Sequence, residues 1–187
     1  MSVCPTFRSL PALLAFTLLL TLPLGSCEKV AATKTISVTL GADLTLNVAS
    51  TDPLSGAWTT ILDSDENIDV RTNRAKIKDI SIERLAYVVD AYNGPAGVTG
   101  RGNWKFYATG LPGTVFPLVS AHAVDFGAFF SSGAEQELPV NAAAQAKLVE
   151  LIKAGKTVTF AFEGAVTDKP VSARFHLQLA TRVQVGL

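Results

Sequence analysis

Apolar residues recur at every second position along much of this chain. In KTISVTL and DLTLNVA, Ile36, Val38 and Leu40, then Leu44, Leu46 and Val48, alternate with polar neighbours. That is the period of a half-buried strand, and the Gly41-Ala42 break between the two runs predicts two strands joined tightly. STDPLSG then interrupts the pattern with Pro53 and Gly56, and Trp58 to Lys78 has no strong period; Ile68, Ala75 and Ile77 allow a short helix there. From Ile80 to Val89 the alternation changes parity midway, from Ile80 and Ile82 to Leu85, Tyr87 and Val89. A β-bulge, which adds one residue to one strand, accounts for such a change.

A turn-rich run, AYNGPAGVTGRG, leads into NWKFYAT. Bulky groups on both faces mark NWKFYAT as a central or covered strand. Val115 to Val124 reads as a further strand, with Pro117 assigning it to an edge or a strand start. Thr157 to Val166 and Val171 to Val185 end the series around the turn VTDKP, with a change of register expected near Ala180 to Arg182. One helix stands out, near 142–154. Asn141 can cap its start, Ala144, Leu148, Leu151 and Ile152 form one stripe, and Gly155 can end it. About seven short strands and one inserted helix predict an antiparallel β-sandwich, immunoglobulin-like in its make-up, as one domain over 34–187.

Composition narrows the function classes. The 187 residues are 48% hydrophobic and 17% charged, which permits a sizeable core and excludes a disordered chain. Sixteen basic residues balance sixteen acidic ones without any block of like charge, so no nucleic-acid partner is expected. Both cysteines, Cys4 and Cys27, lie in or beside the N-terminal apolar run, which leaves the body with no pair to oxidise.

Residues 1–26 have signal-peptide order: a polar start with Arg8, an apolar stretch from Leu10 to Leu22, then small residues. Pro11 and Pro23 bracket a run too short to span a bilayer comfortably. Leu24-Gly25-Ser26-Cys27 resembles the lipobox of bacterial lipoproteins. The resemblance implies cleavage between Ser26 and Cys27, a diacylglycerol on the Cys27 thiol and acylation of the new amino terminus. Residues 27–33 then form a tether to a membrane, Glu28 to Thr33 reaching roughly 20 Å at full extension. Glu28 in place of Asp implies an outer-membrane address within a Gram-negative envelope. Ile80 to Val185, with its LP-containing spacer, helix ending in glycine and following GKTVTFAFEGAV strand, also resembles the LEA14-like (water-stress, WHy) β-sandwich.

Few groups point to chemistry. Asp63, Asp65, Asn67 and Asp69 repeat at every second position like the start of a calcium loop, but Ile68 and Arg74 stand where that loop needs glycine and glutamate. Capping and turn roles are the expectation for these four. GPAGVTGRG lacks the Lys-Ser/Thr end of a phosphate-binding loop. His122 and His176 are too few for a usual zinc site, and neither Glu135 with Glu137 nor Glu83 with Asp90 defines an acid-base pair by spacing alone. No cofactor, metal or catalytic residue is assigned. Gly97 and Gly100, on a glycine-rich loop, and Phe129 and Phe130, adjacent in a loop-like segment, are the candidate contact residues. The expectation is a non-catalytic, lipid-anchored envelope protein that binds a protein partner or gives structural support. The alternative is a carrier of a lipid or other apolar ligand held between its sheets.

Overall fold

The computed structural model describes residues 32–187. The assignments made for the leader, for Cys27 and for the cleavage point lie outside the described residues. The described residues cluster as one compact unit. Eight strands form two four-stranded antiparallel sheets. The first contains β1 (Thr33–Val48), β8 (Val171–Gly186), β3 (Ile77–Asn93) and β6 (Gln136–Glu137), in that spatial order. The second contains β2 (Ser55–Leu62), β7 (Val158–Val166), β4 (Thr99–Ala108) and β5 (Phe116–Asp125), also in that order. Facing side chains fill the space between them: Leu44, Leu46, Tyr87, Phe175 and Leu177 from the first sheet meet Trp104, Phe106, Phe160 and Phe162 from the second, all fully buried. The fold is the antiparallel β-sandwich expected from the alternation.

Where the structure departs from the sequence reading, local causes are visible. β1 is one strand rather than two, because Ile36, Val38, Leu40, Ala42, Leu44, Leu46 and Val48 keep one parity across Gly41 and pair without interruption with β8. Gly41 makes room for a side chain rather than a turn: a Cβ there would lie 3.3 Å from the His176 ring. β2 escaped the period because it is an edge strand in which only Leu62 is buried. The register change expected near Ala180 to Arg182 is present in the pairing of β8 with β3, whose extra residue falls opposite Thr181 and Ala180, while β8 keeps its own face and its register with β1. Thr181 continues the inward alternation, 2% exposed, and its hydroxyl satisfies itself by donating to the Val38 carbonyl at 3.1 Å.

Elsewhere the pattern and the chain agree. β3 carries a register shift between Ile82 and Arg84, where its parity changes, so that Ile80 and Leu85 both face the core. β4 is central and β5, with Pro117, is an edge. Among the described residues there are three α-helices, α1 (Ile68–Asn73), where a short helix was allowed, α2 (Phe126–Ser132), and α3 (Ala142–Lys153), the one expected near 142–154. Asn141 accepts from the Ala144 amide at 2.9 Å, and Ala144, Leu148, Leu151 and Ile152 are buried. The Gly155 and Lys156 amides close the helix onto the Ile152 and Leu151 carbonyls, a Schellman ending that uses the positive φ of Gly155.

The sandwich has two distinct ends. Thr33 starts β1 opposite Gly186, beside Ile77 of β3; this is the near end. Val48 closes β1 opposite Val171, beside Asn93, and this far end lies about 50 Å away at the rise of a strand. No helix among the described residues is long and apolar enough to cross a membrane.

Candidate functional site

The far end gathers the features most suited to contact. β3 ends at Asn93, and the loop that follows turns through Gly97, whose φ of +75° favours glycine. The Tyr92 hydroxyl donates to the Pro95 carbonyl at 2.5 Å and ties that loop to the strand. The Tyr92 ring stacks on Phe126, centroids 6.2 Å apart and planes within 5°. Phe126 is fully buried and opens α2, so the loop and the helix share one aromatic seat.

Phe129 and Phe130 therefore lie on a short helix rather than in a loop. Asp125 caps it by accepting from the Ala128 amide at 2.9 Å, and Gly133, at φ +59°, stops it. Phe129 packs against the core one turn after Phe126, while Phe130 points away and is 43% exposed. Gly97 and Phe130 line the same recess, about 450 Å³, together with Tyr92, Asp125 and Ala128. Gly100 does not belong with them: it is buried in β4, where a Cβ would come 2.7 Å from the Phe126 ring. Its role is to let that ring sit against the backbone, which removes it from the contact set.

The chemistry of the recess is mixed. Phe130 and Tyr92 give it apolar faces. Asp125 gives it an acceptor, and the Tyr92 phenol is held above its ordinary pKa by burial, then by Asp125 and Asp168, so it stays neutral. A second recess, about 540 Å³, adjoins it across Gly94 and is lined by Asn47, Ser50, Asn93 and Ser172. The pair suits a partner that offers an apolar side chain and hydrogen-bond donors. Tyr92 and Asp125 were missed in the sequence, although Asp125 stands where a cap should, directly before the apolar FGAFF.

The remaining candidates have structural roles. Asp63 accepts from the Asp65 amide at 2.8 Å, Asn67 accepts from the Asp69 and Val70 amides, and Asp65 pairs with Arg74. Among the described residues no three His, Cys, Asp or Glu side chains group to hold a metal. Glu135 pairs with Arg84, Glu83 with Arg182 and Asp90 with Arg174, all on the exposed sheet face or its margin. Glu137 lies exposed in β6. His176 meets Asp43 at 2.6 Å on the outer face of the first sheet.

His122 differs from these. The Tyr87 hydroxyl, reaching across from the first sheet, lies 2.8 Å from its Nε2, an arrangement in which neutral imidazole accepts. Burial lowers the His122 pKa from 6.5 and raises that of Tyr87. The preceding Ala121 has a φ of +53°, and its amide donates to Asn103 Oδ1 at 2.9 Å, which turns His122 inward. As pH falls below 6.5 the unfolded chain takes the proton first. His122 thus contributes stability that is complete above 6.5 and is lost as pH drops through its lower folded value. The unfolding midpoint should fall between pH 7 and pH 5, and His122→Gln, which accepts without titrating, should flatten that slope; an equal slope in the variant would refute the assignment.

The class that this architecture defines is the antiparallel β-sandwich. No family model matches the chain, and no curated protein matches it. Among solved structures, a chain from Desmodium yellow mottle tymovirus is 10% identical, with all of this chain and 94% of that one covered, at a TM-score of 0.31. At that score the likeness carries no argument.

Proposed function

We propose that this protein is a non-catalytic, lipid-anchored β-sandwich of a bacterial cell envelope that binds a partner through its far end. The observation carrying the binding part is the convergence of the Gly97 loop and Phe130 on one recess, at the end of β1 opposite Thr33. The lipobox-like Leu24-Gly25-Ser26-Cys27 supports the anchor. A lipid on Cys27 would be joined to the domain by the six residues that lead to Thr33, the first residue of β1. An outer-membrane address follows from Glu28 on the same reading.

The binding reading is favoured over a carrier by how the aromatics are used. Trp104, Tyr87, Phe162 and Phe175, which a carrier would need as pocket walls, pack on one another with centroids 5.2–6.1 Å apart. A photo-crosslinking phenylalanine analogue at position 130 should form a discrete protein adduct in the native cell, whereas the same analogue at Ser37, on the outer sheet face, should not. Equal labelling at both positions, or none at 130, would refute the far-end site. Fatty-acid labelling of the wild type and its loss in Cys27→Ser tests the anchor separately, and a small molecule retained in native mass spectrometry would restore the carrier.

A further inference from the structure

The near end has a different character from the far end. The β4–β5 connection, GLPGTVF, holds Leu111 at its tip, 68% exposed, and Val115, 41% exposed. Beneath it lies a recess of about 450 Å³ between this loop and α3, walled by Leu111, Phe116 and Leu151 and edged by Lys147, Glu150 and Lys156. α3 carries the surface on to β3. Lys153 Nζ donates to the Lys78 carbonyl at 3.2 Å and pairs with Asp79 at 3.3 Å. β3 carries it on to the start of β1, since Ile77 and Lys34 both stand opposite Val185 of β8.

The charge along this path carries an excess of lysine. Glu150 is taken by Lys147 and Asp79 by Lys153, which leaves exposed Lys34, Lys76, Lys78 and Lys156 without an acidic partner among the described residues. Asp65 is taken by Arg74. Asp63 follows Leu62, which shares a rung of the second sheet with Val158 and Ala108, so Asp63 and Glu66 stand at the margin of this face and offset part of its charge. α1 carries one acid, Asp69, in its first turn and one base, Arg71, in its last.

We propose that this near end is a membrane-contact surface, in which Leu111 and Val115 enter the headgroup boundary of an anionic bilayer and the lysines around them meet its phosphates. A small apolar loop tip ringed by lysines fits lipid better than protein. Protein interfaces are depleted in lysine and rich in aromatic residues and arginine, whereas shallow apolar insertion with basic neighbours is what interfacial binding uses. Long lysine side chains also reach past apolar neighbours to place their charge at the headgroups. The lipid-anchor reading enters only in the choice of bilayer as occupant, through the chain that leads to Thr33 at this same end.

Residues 32–187 contain both sheets and the whole described core and lack Cys27, so they test this surface independently of the anchor. This domain should co-sediment with phosphatidylglycerol-rich vesicles, less with pure phosphatidylcholine, and less again as salt is raised. Leu111→Ser and Lys78→Glu with Lys156→Glu should each weaken binding on the order of tenfold, with unfolding midpoints unchanged because these side chains are exposed. Phe130→Ser, at the far end, should leave it unchanged. No binding by the wild-type domain, or equal binding by the near-end variants, would overturn the proposal. So would uptake of free dodecanoate without vesicle binding, which would make the recess a ligand pocket. None of these outcomes bears on whether Cys27 is acylated.

Discussion

Trp104→Ala is expected to cost about 3–5 kcal/mol, the range for truncating a large buried aromatic, and to lower the unfolding midpoint of the domain by roughly 10 °C. The residue is central in two senses. It lies on β4, an inner strand of the second sheet, and it touches Tyr87 and Phe175 of the first, with ring centroids at 5.5 and 5.6 Å, as well as Phe162 at 5.2 Å. Removing it separates the sheets at the middle of their interface, where neighbours on both sides are fully buried and strand-bound and so can collapse only partly into the gap. Trp104→Phe should cost far less. The indole Nε1 is buried with no hydrogen-bond partner, so the smaller ring keeps most of the packing and removes an unsatisfied donor. Urea unfolding of the three proteins measures this directly; a loss below about 1 kcal/mol for Trp104→Ala would contradict a core coupled through this side chain.

The same residues show what the sequence could reveal. Alternation is readable where one face is buried and the other wet, as in β8 and the bulged β3, whereas β7, buried on both faces from Val158 to Phe162, is legible as an apolar run and α3 by its helical stripe. It misleads at Gly41. There a glycine has the look of a turn, whereas a partner distant in sequence, the His176 ring over Gly41, explains it, just as the Val38 carbonyl explains a threonine at the inward position 181. β2 was illegible because an edge strand buries too little to write a pattern. The far-end recess was half legible: glycine content marked the Gly97 loop and paired phenylalanines marked α2. Their meeting depends on Tyr92 stacking upon Phe126, and no local pattern encodes that contact. Gly100 looked like its loop neighbours for the same reason, since the ring that covers it comes from 26 residues further along.

Gly102→Ala should be among the most damaging single-methyl additions in the second sheet, at about 1–3 kcal/mol or somewhat more for forced overpacking. The inward positions of β4 run Gly100, Gly102, Trp104, Phe106, two of the smallest residues followed by two of the largest. The small pair is where neighbouring rings lie against the backbone. A Cβ on Gly102 would come 2.5 Å from the Glu163 carbonyl and 2.7 Å from the Phe162 ring, and its partner across the ladder is itself a glycine, Gly164. Phe162 cannot retreat freely, because it also packs on Trp104, Phe175 and Trp58. Pairing Gly102→Ala with Phe162→Leu should therefore recover only the part of the loss due to the ring, since the clash with the Glu163 carbonyl is with backbone; a double-mutant cycle by urea unfolding separates the two. Gly113→Ala is the matched control, as a Cβ there meets nothing within 4 Å, and it should be neutral or slightly stabilising through the unfolded chain. Equal midpoints for Gly102→Ala and Gly113→Ala would show that β4 can shift to admit the methyl, and that the rings do not hold the strand where they now lie.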